Sequence, residues 1–219
     1  ADLHVHSSVS DCSMDAESIL KEAKNAGVTH LAFTDHDTTE LAQEHVDLAA
    51  RYGICAVTGV EMSAYDYKED RKVHILGYAY TKTKYIEQIG QETLKKRNGN
   101  CLKQIGILNE LGYHVPTEEV KKLDCVRAIK ADGGFAVLAH PGQMGNYGAI
   151  HRLAEAGLDG IECNHPSHSA SDRKRVEEFA KSESLFLTGG SDFHGRYERI
   201  RSSLGQYPAP ESSRIIFES

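Results

Sequence analysis

A chain of 219 residues, 40% of them hydrophobic, is long enough for one domain with a sizeable core, or for one domain plus a small insertion. Its net charge of -7 argues against broad binding to duplex nucleic acid, whose affinity comes from phosphate neutralisation, but leaves room for a small phosphorylated ligand. No apolar run is long enough to span a membrane and no secretory signal is visible; the five cysteines are scattered and form no CxxC, so a cytoplasmic protein is expected rather than a disulfide framework.

The chain begins at Ala1 rather than Met, which reads as a trimmed N-terminus. Residues 1–5 read as a first strand. Asp15 to Ala26 reads as a helix with Ile19, Leu20, Ala23 and Ala26 on one face and Gly27 as its stop. His30 to Thr34 is a short buried strand. Thr38 or Thr39 can cap the next helix, which ends at Gly53. Ile54 to Val60 and Val73 to Tyr78 are strands, and the polar link from Ser63 to Lys72 is too short for a crossover helix, so a hairpin-like connection is expected there. Residues 84–111 are helical in pattern, and Pro116 opens another helix. Strands follow at Gly134 to Ala139, Leu158 to Cys163 and Leu185 to Thr188. Helices separate them at Tyr147 to Ala156 and Ser169 to Lys181. Strands joined mostly through helices suggest a (β/α) barrel, although periodicity alone does not separate a barrel from a doubly wound sheet.

The polar residues at the strand ends discriminate better. His4 and His6, two apart, point to one face of a strand, and Asp11 follows in the turn. The second strand leads into Thr34-Asp35-His36-Asp37, the third into Glu61, the fifth into His140, the sixth into Glu162 and His165, and the seventh into Asp192 and His194. His74 opens its strand, yet a hairpin would set it beside Glu61. Each residue has a plain alternative: His36 as a core histidine, Asp35 or Asp37 as a helix cap, Asp192 as a turn cap. Taken together, His4, His6, Asp11, His36, Glu61, His74, His140, Asp192 and His194 would meet on the rim where barrel active sites lie. Packed there without metal, six histidines and three carboxylates would carry a heavy desolvation penalty. Such a set suits two or three divalent ions, and mixed imidazole and carboxylate donors fit manganese, iron or zinc.

The stretches DLHVHSSVSD, LAFTDHDT, GVEMSA, VHILGY, AVLAHPG and GGSDFHG resemble the polymerase-and-histidinol-phosphatase (PHP) metallophosphoesterases over nearly the whole chain. The resemblance implies an α/β fold, a distorted (β/α)7 barrel spanning 1–219, with a small helical insertion or cap at about 84–131. It also implies a trinuclear centre. By that likeness His4, His6, Glu61 and Asp192 hold a first ion. Glu61 bridges to a second ion that His74 and His140 also hold. Asp11, His36 and His194 hold the third, and His165 matches no ligand position.

A centre of this kind keeps a net charge of about +3, suited to a phosphate dianion. The expected reaction is in-line hydrolysis of a phosphate ester by a hydroxide bridging two ions, with Asp192, His194 and Glu61 as catalytic residues and no covalent intermediate. Cys12 lies in the ligand loop without a His-paired motif and reads as structural. The motifs look most like the branch acting on nucleotides: 3',5'-nucleotide bisphosphate phosphatases and exoribonucleases of short 5'-phosphorylated RNA. A cyclic phosphodiesterase or a sugar or histidinol phosphate phosphatase is the alternative. A non-catalytic polymerase-associated PHP domain and a metal-storage protein are the non-enzyme readings. Those nucleotide relatives carry a longer helical insert with a Gly-Arg-x-His stretch between about Gly112 and Asp132. Here only Tyr113 to Lys130 remains, either because the cap is short or because a stretch is missing from this sequence. Arg97, His165, His168 and Arg196 are candidate substrate contacts. Lys95-Lys96-Arg97 reads as an exposed helix face rather than a nucleic-acid patch. The expected partner is a small phosphorylated molecule, with no membrane and no extended duplex; the oligomeric state is open.

Overall fold

The computed structural model describes residues 1–93, 122–197 and 202–218. Among the described residues, eight strands form two sheets. Strands β1 (Asp2–Val5), β2 (His30–Phe33) and β3 (Cys55–Val57) pair in parallel in that order. Strands β4 (Gly59–Asp66), β5 (Arg71–Tyr78), β6 (Phe135–Leu138), β7 (Gly160–Asn164) and β8 (Phe186–Gly189) form the second sheet in chain order. The β4–β5 and β5–β6 pairs are antiparallel and the rest parallel. The sheets meet at two isolated bridges, Val5 with Phe193 and His36 with Glu61. A continuous closed ladder is not formed among the described residues.

The strand expected from Ile54 to Val60 is two strands. The chain changes sheets at Thr58, whose carbonyl accepts from Ala79 N–H at 2.9 Å and whose hydroxyl donates to the Tyr80 carbonyl at 3.2 Å. Gly59 then passes so close to β2 that a Cβ there would lie 2.3 Å from the Phe33 carbonyl oxygen. The expected hairpin is present, and its register pairs Ser63 with His74 and Glu61 with Leu76.

Helix α1 (Ala16–Asn25) starts at Asp15, which accepts the Ser18 N–H at 2.7 Å, and buries Ile19, Leu20 and Ala23. Full burial of such side chains stabilises by about 1.5–3 kcal/mol each. Helix α2 (Ala42–Arg51) begins later than the threonines suggested. Thr38 and Thr39 do not cap it: Thr38 accepts from Glu40 N–H, and Thr39 donates to Glu87 of the next helix, which runs over 84–93 (α3). Helix α4 (Lys122–Ala131) follows the undescribed stretch, so Pro116 and most of the expected 84–111 helix lie outside the described residues. The Tyr147 to Ala156 helix is a 3-10 turn (Tyr147–Ala149) continued by α6 (Ile150–Glu155), and a short α5 (Pro141–Met144) precedes it. Helix α7 (Ala170–Glu183) opens on a capping box between Ser169 and Asp172.

Three apolar clusters result. One lies between the second sheet and α4, α6 and α7, and another under α1 and α2. The third lies between the sheets: Leu3, Leu76, Tyr78 and Val137 pack with Ile216 of the C-terminal 3-10 helix (Glu211–Phe217). Leu3 and Val5 fall in different clusters because the β1–β2 register slips between Asp2 and Val5. Such a bulge re-aims side chains beside functional sites. Cys12, Cys55, Cys125 and Cys163 form no disulfide with one another, and no described helix is long and apolar enough to cross a membrane.

Candidate metal centre

The C-terminal ends of the parallel strands converge with the β4–β5 hairpin, and Glu61 is the point of convergence. Its carboxylate is 1% exposed. Oε2 faces His4 Nε2 at 3.2 Å, His6 Nε2 at 3.2 Å and His36 Nδ1 at 3.4 Å. Oε1 faces His74 Nδ1 at 2.7 Å and His140 Nε2 at 3.0 Å. His74 reaches it because residues two rungs apart on paired strands share a face.

Three sets of donor atoms surround this residue, each set gathered within 4.8 Å. His4, His6, Glu61 and Asp192 form the first, with Asp192 Oδ1 at 3.3 Å from His4 Nε2 and 3.2 Å from His6 Nε2. Donors about 2.1 Å from a tetrahedral ion lie roughly 3.4 Å apart, so these separations fit one. His36, Glu61 and His74 form the second, beside His140. Asp11, His36 and His194, together with His6, form the third, where His194 Nε2 lies 3.2 Å from Asp11 Oδ1. Both ring nitrogens of His6, Nδ1 of His36 and Nδ1 of His140 are buried without a hydrogen-bond partner. Orphaned buried imidazole nitrogens beside carboxylates fit cation ligands better than a self-contained hydrogen-bond network.

Local structure aims these groups. His140 and Asp192 hold positive φ angles of 24° and 50° just past β6 and β8, and Asp37 one of 55°. Such backbone costs about 1–3 kcal/mol per residue and clusters at functional sites. Gly190 is required where the exit of β8 crosses β1: a Cβ there would lie 2.3 Å from His4 Cβ. His194 Nδ1 donates to the Asp192 carbonyl at 2.8 Å, which turns Nε2 toward Asp11, 3.2 Å away.

The charges respond to one another. Burial opposes protonation of His4, but Glu162, Asp192 and Glu61 outweigh it and raise His4 well above the usual imidazole range. Burial is likewise outweighed at His6, where the Asp192 and Glu61 carboxylates, each 3.2 Å from Nε2, lift it to about 10. Burial holds His36 down at about 3. Despite burial, the surrounding imidazoles, His36 and His4 foremost, keep Glu61 well below the carboxylate range, and His4 with His165 does the same for Asp192. Without bound cations, protons on the histidines balance the carboxylates.

All nine sequence-derived ligand candidates are therefore brought together. Of the substrate candidates, His165 joins them, with Nε2 3.2 Å from Asp192 Oδ2. Its Nδ1 accepts the Ser167 N–H at 3.1 Å, so Nε2 carries the proton. His168 is buried with both ring nitrogens engaged: Nδ1 donates to the Cys163 carbonyl and Nε2 accepts from Gly142 N–H. That leaves no ring nitrogen for a substrate. Arg196 stands on an outer 3-10 turn (Gly195–Tyr197) and lines a depression with Ser13, Met14, Glu22 and Phe193. Arg97 lies outside the described residues.

Two carboxylates were missed. Asp35, which resembles a helix cap, instead clamps the ligand loop: it accepts from Ser7 N–H and Ser7 Oγ at 2.8 Å and from Ser10 Oγ at 2.6 Å. Glu162 is wholly buried against His4. Its signal was an acidic residue inside the apolar run Ile161-Glu162-Cys163.

Comparison with known proteins places this arrangement. The profile of the PHP domain matches residues 2–159. The chain belongs to the PHP domain family. This PHP protein is 36% identical over 250 residues to phosphoribosyl 1,2-cyclic phosphate 1,2-diphosphodiesterase of Eggerthella lenta, covering 91% of this chain and 95% of that one. That alignment is longer than this chain, so the Eggerthella protein carries additional residues. The PHP protein is 27% identical over 249 residues to the 3',5'-nucleoside bisphosphate phosphatase of Chromobacterium violaceum, covering 88% and 86%. A solved Bifidobacterium adolescentis structure, assigned to the metal-dependent phosphoesterases, has the same fold, with a TM-score of 0.85, 23% identity and coverage of 98% and 94%. The PHP protein is a metal-dependent phosphoesterase.

Proposed function

We propose that this PHP protein hydrolyses a small phosphorylated sugar or nucleotide, foremost the cyclic 1,2-phosphate of a phosphoribosyl group. The division of Glu61 between two sets of imidazoles carries the metal reading, since one buried carboxylate facing five histidines is a bridging ligand in form. In this reading His4, His6, Glu61 and Asp192 hold one ion, Glu61, His74 and His140 a second, and Asp11, His36 and His194 a third, with manganese, iron or zinc as occupants. When bound, the ions supply a nucleophile at neutral pH and withdraw charge from the phosphoryl oxygens. The two sheets are read as one distorted (β/α)7 barrel and a single domain, with a helical insertion at about 84–131.

The protein's own residues then have separate tasks. Glu61, shared between two of these sets, would hold two ions together, and Asp192 would complete the first. His165, a substrate candidate in the sequence, instead spends its N–H on Asp192 Oδ2 and so holds that carboxylate in place. Arg196, beside Ser13 on the Asp11 and His194 side, suits a second phosphate. Hydrolysis of a cyclic phosphate adds water across one ring P–O bond, and the leaving oxygen takes the proton. The cyclic substrate, the alternative in the sequence reading, comes first because identity to the cyclic phosphodiesterase is 36%, against 27% to the bisphosphate phosphatase. The latter supports nucleotide bisphosphates or short 5'-phosphorylated oligonucleotides as the second reading.

The test combines metal analysis with a panel followed by phosphorus NMR: phosphoribosyl 1,2-cyclic phosphate, 3',5'-bisphosphonucleotides, short 5'-phosphorylated RNA and histidinol phosphate. Opening of the cyclic ester, with metal loaded, is the expected outcome. Absence of turnover of any ester by fully metallated protein overturns the assignment.

A further inference from the structure

Glu162 has no place among the three ligand sets, yet it is one of the most deeply buried carboxylates in the chain, at 0% exposure near the end of β7. Both of its oxygens are in use. Oε1 lies 3.0 Å from His4 Nδ1, and Oε2 accepts the backbone N–H of His140 at 2.8 Å. A carboxylate in this setting only accepts, so the hydrogen on the His4 ring belongs on Nδ1. Nε2, the nitrogen left to give its lone pair to an ion, then faces the gap between Glu61 Oε2 and Asp192 Oδ1, 3.2 and 3.3 Å away. The second contact holds His140 at the left-handed backbone that aims its ring at Glu61.

His4, Glu162 and His165 gather closely enough to suggest a further ion site. The hydrogen bonds argue otherwise. His4 meets Glu162 through the nitrogen that carries hydrogen, and His165 spends its Nδ1 on Ser167 N–H and turns Nε2 to Asp192. The group is closed by hydrogen bonds.

We propose that Glu162 is a positioning residue for the metal centre, fixing the ring orientation and tautomer of His4 and the backbone of His140 with one carboxylate. Carboxylate–histidine–metal relays of this kind typically change metal affinity by about 10–100-fold when broken. The inference rests on the metal reading above and fails separately from it.

Glu162→Gln is the discriminating variant, because it keeps the volume but offers one accepting oxygen where two are needed. If that oxygen stays with His140 N–H, the amide NH2 faces His4 and drives the ring to the wrong tautomer. If it stays with His4, the His140 N–H is orphaned. Metal titration followed by elemental analysis of the full chain should show one ion weakened about 10–100-fold, with circular dichroism and a cooperative melt retained. Unchanged affinity for every ion in a folded Glu162→Gln protein overturns the proposal. A wild-type protein that binds no metal overturns the metal reading instead. Should the variant not fold, assigned 1H–15N spectra of zinc-loaded wild-type protein decide: hydrogen on His4 Nδ1 supports the proposal, and hydrogen on Nε2 overturns it.

Discussion

Asp192 joins two donor systems through its two oxygens, Oδ1 to His4 and His6 and Oδ2 to His165. Asp192→Asn keeps the shape but removes the charge. We expect it to lose an ion and to lower kcat by roughly 100-fold or more, read by elemental analysis and phosphate release. The titration of the histidines sets a second expectation. His4 and His6 lie above their unfolded value of about 6.5, so in ion-free protein their contribution is full below that value and is lost as pH rises, through about 10 for His6. Glu61 and Asp192 lie below theirs, so their contribution is present above about pH 4 and is lost on acidification. Ions must displace the imidazole protons, so apparent metal affinity should rise with pH between 5 and 8 with net proton release. Calorimetry in buffers of different ionisation enthalpy measures that release; an affinity flat across this range would contradict the assignment.

At the scale of elements, the ligand loop after β1 hangs on Asp35. Asp35→Ala removes three hydrogen bonds to Ser7 and Ser10, charge-assisted bonds worth about 1.5–3 kcal/mol each. The Asp11 side of the centre should therefore loosen first, seen as a lowered Tm and loss of the most weakly held ion. Gly190→Ala sets a methyl against the His4 backbone and should cost about 1–3 kcal/mol, a fall in Tm of roughly 2–12 °C. These elements also show what the sequence could convey. Ligand residues were legible because His, Asp and Glu stand out at the ends of apolar strands, and the Ser63–Lys72 link was legible because its length forbids a crossover. Asp35 was not, since a carboxylate ahead of a helical pattern looks the same whether it caps a helix or clamps a distant loop. The break at Thr58 was equally hidden: Ile54 to Val60 is one apolar run, and only the close approach of Gly59 to Phe33 divides it. Glu162 could be seen as a buried charge, but its partners lie 158 and 22 residues away.

For the whole molecule, the ligands come from both sheets: His4, His6 and His36 from the first, Glu61, His74, His140 and Asp192 from the second. Bound ions would therefore add ties between sheets whose backbones meet, among the described residues, at two isolated bridges and which otherwise share an apolar cluster. Removing metal with a chelator should lower the melting temperature, and adding it back should raise the melting temperature with ion concentration, as for any ligand specific to the folded state. Calorimetric scans at stepped metal concentration check this, and a melt indifferent to metal would show that the sheets hold without it.

The C-terminal 3-10 helix gives the molecule a direction. Ile216 and Tyr78 lie in the buried apolar cluster between the sheets, while Asp11, at 54% side-chain exposure, is open to solvent. Among the candidate ligands Asp11 is the one that water reaches most freely, so an arriving solute is expected to meet the Asp11 and His194 side first.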